Sequence, residues 1–117
     1  MISFSESAPR GPSKEQVVAV LKDINTSPKE AQELYMQWID EKQKEMDESQ
    51  SEYSRLKYNI DVAELLFEAN LIEDALIYCE SAWEIVSNEI QDLDPSRISN
   101  ELLDLCTRLD IISDEIL

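Results

Sequence analysis

NIDVAELLFEANLIEDALIYC, residues 59–79, decides the fold. Ile60, Ala63, Leu66 and Phe67 recur at steps of three, three and one, which is the spacing of one helical face. Ala75, Leu76 and Cys79 resume the same period after Asn70-Leu71. Asparagine is the best non-glycine residue for a left-handed helix end, so two helices joined by a tight reversal are expected. Working outward, Tyr53 and Leu56 extend the first face, and Ala82, Trp83, Val86 and Ile90 extend the second.

The same period fills the rest of the chain. Ser13-Lys14-Glu15-Gln16 is a capping-box pattern ahead of Val17, Val20, Leu21 and Ile24. Ser27-Pro28-Lys29-Glu30 is a second start signal, ahead of Ala31, Leu34, Tyr35, Trp38 and Ile39. Asp40 to Glu52 is almost wholly polar, and Ser49-Gln50-Ser51-Glu52 is a further box pattern. An unbroken helix over residues 28–69 would be about 63 Å long, far longer than its neighbours, so a break is placed near Met46 to Ser51. Asp94-Pro95 is expected to cap a last helix, in which Ile98, Leu102, Leu105, Leu109, Ile112 and Ile116 form a seam. That seam packs either inside the domain or against a second copy in a homodimer.

The expected fold is all-α: an antiparallel bundle of four to five helices over about 13–24, 28–47, 50–69, 72–92 and 95–116. Residues 1–12 are expected to be a flexible N-terminal tail, with one domain over 13–117. One glycine and four prolines in 117 residues disfavour turn-rich β architectures. A hydrophobic fraction of 43% separates the chain from disordered acidic tails.

The charge is unevenly spread. Residues 59–117 hold 15 acidic and two basic side chains, a sum of −13 out of −16 for the whole chain. Residues 1–30 hold four of each sign, and residues 31–58 hold seven acids and four bases. Such a surface repels nucleic acid and anionic membranes and attracts basic proteins. The absence of histidine removes the commonest general base and metal ligand. Cys79 and Cys106 match no zinc or redox spacing. No catalytic function, cofactor or metal is therefore expected. No apolar run approaches a membrane span and no secretion signal is visible, so a reduced cytoplasmic protein is expected. Trp38 and Trp83 fall on apolar stripes and are expected in the core.

The candidate partner-binding face comprises Asp61, Glu64, Glu68, Glu73, Asp74, Glu80, Glu84, Glu101, Asp104, Asp110 and Asp114. Neighbours three or four apart on a helix lie about 5–6 Å from each other. Duplex DNA carries one charge per ~1.7 Å of axis, so carboxylate rows on adjacent helices can imitate its phosphates. The simpler account is a solvated acidic surface, against which stands the near absence of interleaved bases. In composition and size the chain resembles small acidic DNA-mimic inhibitors, such as phage-encoded anti-defence proteins that block nucleases. That resemblance implies a partner with a basic, nucleic-acid-binding surface.

Residues 59–88 also resemble a single tetratricopeptide repeat. Ala63 takes the small-residue place on the first helix, and Ala75 and Ala82 take the alanine places on the second. Asn59, Leu66 and Ser87 stand where that family has tryptophan, tyrosine and proline. The resemblance implies a helical adaptor, chaperone or assembly subunit that holds a partner helix in a groove. Close packing of any helical hairpin would explain the same alanines.

Overall fold

The computed structural model describes residues 11–49, 51, 53–90, 96 and 98–116. It holds α1 (Lys14–Lys22), α2 (Pro28–Glu48), α3 (Ser54–Glu68), α4 (Ile72–Ile90) and α5 (Asn100–Ile116), with no strand among the described residues. The protein is all-α, as its periodicity predicts. The expected tail lies outside the described residues except for Gly11 and Pro12. Gly11 packs on α2: a Cβ there would lie 3.2 Å from Glu41 Cγ.

Helices α1, α2 and α5 start where a serine hydroxyl accepts a first-turn backbone N–H. The Gln16 N–H donates to Ser13 Oγ (3.2 Å), and the Ser13 N–H donates back to Gln16 Oε1 (2.8 Å), closing the expected box. At α2 the Glu30 N–H donates to Ser27 Oγ (3.1 Å) with Pro28 in the first turn, so the Ser27 half of that box forms. The polar break is where the sequence places it, but α3 starts at Ser54 rather than near residue 50. Ser49 Oγ accepts from the Ser51 N–H and Ser51 Oγ from the Tyr53 N–H, each at 3.0 Å. These two-residue turns hold the chain out of helix, and Tyr53 provides no side-chain cap. Glu52 lies outside the described residues.

Two other boundaries differ from expectation. Helix α1 stops at Lys22, because the Asp23 carboxylate accepts from the Asn25 N–H (2.9 Å) and Thr26 Oγ1 (3.0 Å). This local turn carries Ile24 away from the body, where it is 94% exposed instead of buried. Helix α5 starts at Asn100, not at 95. Ser99 Oγ accepts from the Leu102 N–H (3.1 Å), and the Ser99 carbonyl from the Leu103 N–H (3.0 Å). Asp94 and Pro95, the expected cap, lie outside the described residues.

The reversal between α3 and α4 matches its reading. Asn70 has φ 68°. The Leu71 N–H donates to the Leu66 carbonyl (2.8 Å) and the Asn70 N–H to the Phe67 carbonyl (2.9 Å), the paired bonds of a Schellman turn. Asn70→Ala should cost about 1 kcal/mol in urea unfolding, because a Cβ without a polar side chain is disfavoured at positive φ. Asn70→Gly should hold or raise stability. Equal midpoints for the two variants would show that the turn tolerates any residue.

Helix α3 is the centre. It touches α1, α2, α4 and α5, and α4 also packs on α5 and α1 on α2. Leu56, Ile60 and Ala63 enter one cluster with Cys79, Ala82, Leu102, Leu105, Leu109 and Ile112. Val62, Leu65 and Leu66 enter a second with Val17, Trp38, Ile39 and Ala75. Two opposite faces of α3 are thus buried, each large side chain adding about 1.5–3 kcal/mol. Ala63, Ala75 and Ala82 are fully buried. The α5 seam packs inside the chain, on α3 and α4.

Candidate functional site: the acidic face of α4 and α5

Helix α4 buries Ala75, Cys79, Ala82, Ile85 and Val86. Its other side carries Glu73, Asp74, Glu80 and Glu84, all exposed, and residues 72–90 include no base. Helix α5 buries Leu102, Leu105, Leu109 and Ile112 and exposes Asp104, Asp110, Asp114 and Glu115. The two helices are held together at the buried Ser113, whose Oγ accepts from Trp83 Nε1 at 2.8 Å. Trp83 is therefore not the core residue expected: its ring is 38% exposed and its N–H is anchored. Trp38 is buried, with Lys42 Nζ 5.6 Å from its ring centre.

Four of the eleven predicted carboxylates do not belong to this face. Asp61 is only 12% exposed at its side chain and accepts from Arg108 Nη2 (2.6 Å) and Lys57 Nζ (2.9 Å). Lys42 Nζ stands 3.8 Å away. Glu64 takes Arg108 in two contacts, Oε1 to Nη2 at 2.6 Å and Oε2 to Nε at 3.1 Å. Glu68 pairs with Lys14. Glu101 accepts from Ser51 Oγ at 3.1 Å. Burial alone would raise the Asp61 pKa, but hydrogen bonds from Arg108 and Lys57 outweigh it and hold the carboxyl below its ordinary range. Arg108 is held cationic by its bonds to Glu64 and Asp61, against the cost of its own burial. Asp61, Glu64 and Glu68 are ion pairs within the fold, and Glu101 is tied to Ser51, so the four are not an open array.

The other seven are Glu73, Asp74, Glu80, Glu84, Asp104, Asp110 and Asp114. All are exposed, and none has an ion pair or hydrogen bond among the described residues. Arg108, the sole base in residues 98–116, is turned to α3. These seven carboxylates therefore face outward without an ion pair among the described residues.

Helices α4 and α5 also expose apolar side chains that the charge pattern does not reveal: Ile77, Leu103 and Ile111, all more than half exposed, with Ile111 in a cleft beside Lys14 and Arg108. Their signal is position. Ile77 falls off the Ala75–Cys79–Ala82 stripe, and Leu103 and Ile111 fall off the Leu102–Leu105–Leu109 stripe.

Cys79 and Cys106 are free thiols, both pushed up in pKa by burial. Among the described residues no group of three or more His, Cys, Asp or Glu side chains could hold a metal. No described helix is long and apolar enough to cross a membrane. A cleft of about 190 Å³ lies beside Lys42, Lys57, Asp61 and Glu101, but its charges already answer one another. No family model, curated protein or solved structure matches the chain.

Proposed function

We propose that the protein is a non-catalytic acidic binding protein. Its α4–α5 face occupies a basic, nucleic-acid-binding surface of a partner protein and so excludes nucleic acid, in the manner of a DNA mimic. One observation carries the reading: seven exposed carboxylates project from two adjacent helices with no ion pair among the described residues. Like charges at helical spacing destabilise a helix by some tenths of a kcal/mol per pair. A partner's lysines and arginines would relieve that repulsion on docking. The ion-paired set around Arg108 narrows the face to α4 and α5.

The exposed Ile77, Leu103 and Ile111 favour a second reading, a helical adaptor that grips a partner mainly through apolar contact. Salt separates the two, since exposed charge contacts weaken as ionic strength rises and apolar ones do not.

The test uses two triple variants. Glu73→Lys, Glu80→Lys and Glu84→Lys reverse one row of α4; Glu41→Lys, Glu45→Lys and Glu48→Lys reverse charge on α2. Each substitution changes the charge by +2, so both triples change it by +6. The readout is release of labelled duplex DNA from linker histone, used as a generic basic DNA-binding probe. The α4 triple should release DNA at least about tenfold less effectively than the α2 triple, because contact-range repulsion acts only at the docking face. Equal losses would reduce the effect to bulk charge and defeat the mimic. Normal release by the α4 triple would favour the adaptor.

A further inference from the structure

A groove of about 270 Å³ opens where the ends of α1 and α3 meet the start of α4. Leu21, Leu66, Leu71 and Ile77 make it apolar, and Tyr35 and Tyr78 add aromatic walls. Ile77 is 58% exposed and Leu71 38% exposed, so part of the apolar lining is open to solvent. Among the described residues, Asp74 is the only charged one lining it. The clefts beside Lys42–Lys57 and beside Lys14–Arg108 hold cations of their own; this groove holds none.

We infer that this groove seats an amphipathic, lysine- or arginine-rich helix of the partner, one of whose large apolar side chains packs on Leu71 and Ile77 while a basic side chain one turn away meets Asp74. The inference rests on the acidic-face reading and names what the face grips. Asp74, Glu73 and Glu80 lie three, four and three residues from Ile77, so each is one helical turn from the exposed apolar centre. A docking helix laid alongside α4 presents its own positions three and four apart at the same about 5–6 Å spacing. An apolar residue and a cation one turn apart therefore meet an apolar residue and a carboxylate one turn apart. The groove supplies the apolar anchor, and the carboxylate rim selects basic helices over acidic ones.

The experiment uses fluorescence anisotropy on the full chain at about 150 mM salt, where loose surface attraction is screened. One probe is a labelled 18-residue leucine–lysine peptide with leucines at i, i+3, i+4 and i+7. The other has the same composition permuted to remove that stripe. The amphipathic peptide should bind at least about tenfold tighter. Ile77→Ser, which changes no charge and touches no core position, should remove that advantage, since burying an isoleucine is worth about tenfold or more. Leu103→Ser, the same change on α5, should retain it. Equal binding of the two peptides, or an unchanged affinity in Ile77→Ser, overturns the groove. If Ile77→Ser is unchanged while the α4 lysine triple still fails to release DNA from linker histone, the groove alone is refuted. If that triple releases DNA normally, the acidic-face reading fails and the groove assignment falls with it.

Discussion

Leu109→Ala lowers the unfolding free energy by about 2–5 kcal/mol, the usual cost of emptying a packed leucine site. Leu109 is fully buried in the cluster shared by α3, α4 and α5. For a domain of this size the melting temperature should fall by more than about 8 °C. The fall should not depend on protein concentration, because the chain's own α3 and α4 cover the seam. Differential scanning calorimetry over a hundredfold concentration range checks both points. A melting temperature that climbs with concentration would mean a second copy completes the seam. A loss below about 1 kcal/mol would mean that the site collapses around the smaller side chain.

Arg108→Ala is expected to cost about 2–4 kcal/mol at pH 7. Removing the guanidinium strands two carboxylates, Asp61 and Glu64, in a partly buried site, and a charge left without its partner costs far more than the pair itself contributes. The same substitution changes the response to acid. Burial would raise the Asp61 pKa, yet hydrogen bonds from Arg108 and Lys57 bring it below its ordinary value. A lowered folded-state value means that the unfolded chain binds more protons in this range. The stabilisation is complete above the unfolded pKa of about 3.9 and is lost as pH falls through the folded one. Wild type should therefore lose stability more steeply than Arg108→Ala between about pH 4 and pH 2. Urea midpoints measured at steps of half a pH unit decide it. The exposed Arg55→Ala serves as control and should stay close to wild type. Parallel curves for wild type and Arg108→Ala would remove Arg108 from the account of Asp61.

The helices could be read from the chain because their signals are local. Ser13 and Gln16 satisfy each other within one turn, and Asn70 needs only its own backbone to end α3. Boundaries went astray where two local signals competed. Ile24 continues the α1 period, but Asp23 two residues from Asn25 closes a turn first. Val62 and Leu65 lie off the stripe expected for α3, and their burial follows from α3 being covered on two sides. That is a tertiary property which a single amphipathic period cannot express.

The candidate site was readable as charge and unreadable as geometry. Asp61, Glu64 and Glu68 look like part of the carboxylate rows on α4 and α5. Arg108 and Lys14, 44 or more residues away in sequence, neutralise them across helix contacts. A hint was present: Arg108 stands next to Leu109 on the flank of the seam, where a long cation can reach the neighbouring helix. The exposed Ile77, Leu103 and Ile111 counted toward the apolar total without declaring a face. Only the packing of α4 and α5 shows which leucines and isoleucines are left over.

That left-over set has a consequence for the protein in isolation. Exposed isoleucine and leucine side chains ordinarily invite copies of a protein to stick to one another. Here Ile77 has Glu73, Asp74 and Glu80 within one turn, and Leu103 has Asp104 beside it and Asp110 two turns on. Two copies brought together through these faces would press carboxylate on carboxylate before the apolar groups could meet. On the function proposed above, such a surface would attract cationic partners and repel its own copies, and light scattering of the concentrated protein at low salt should then show no association.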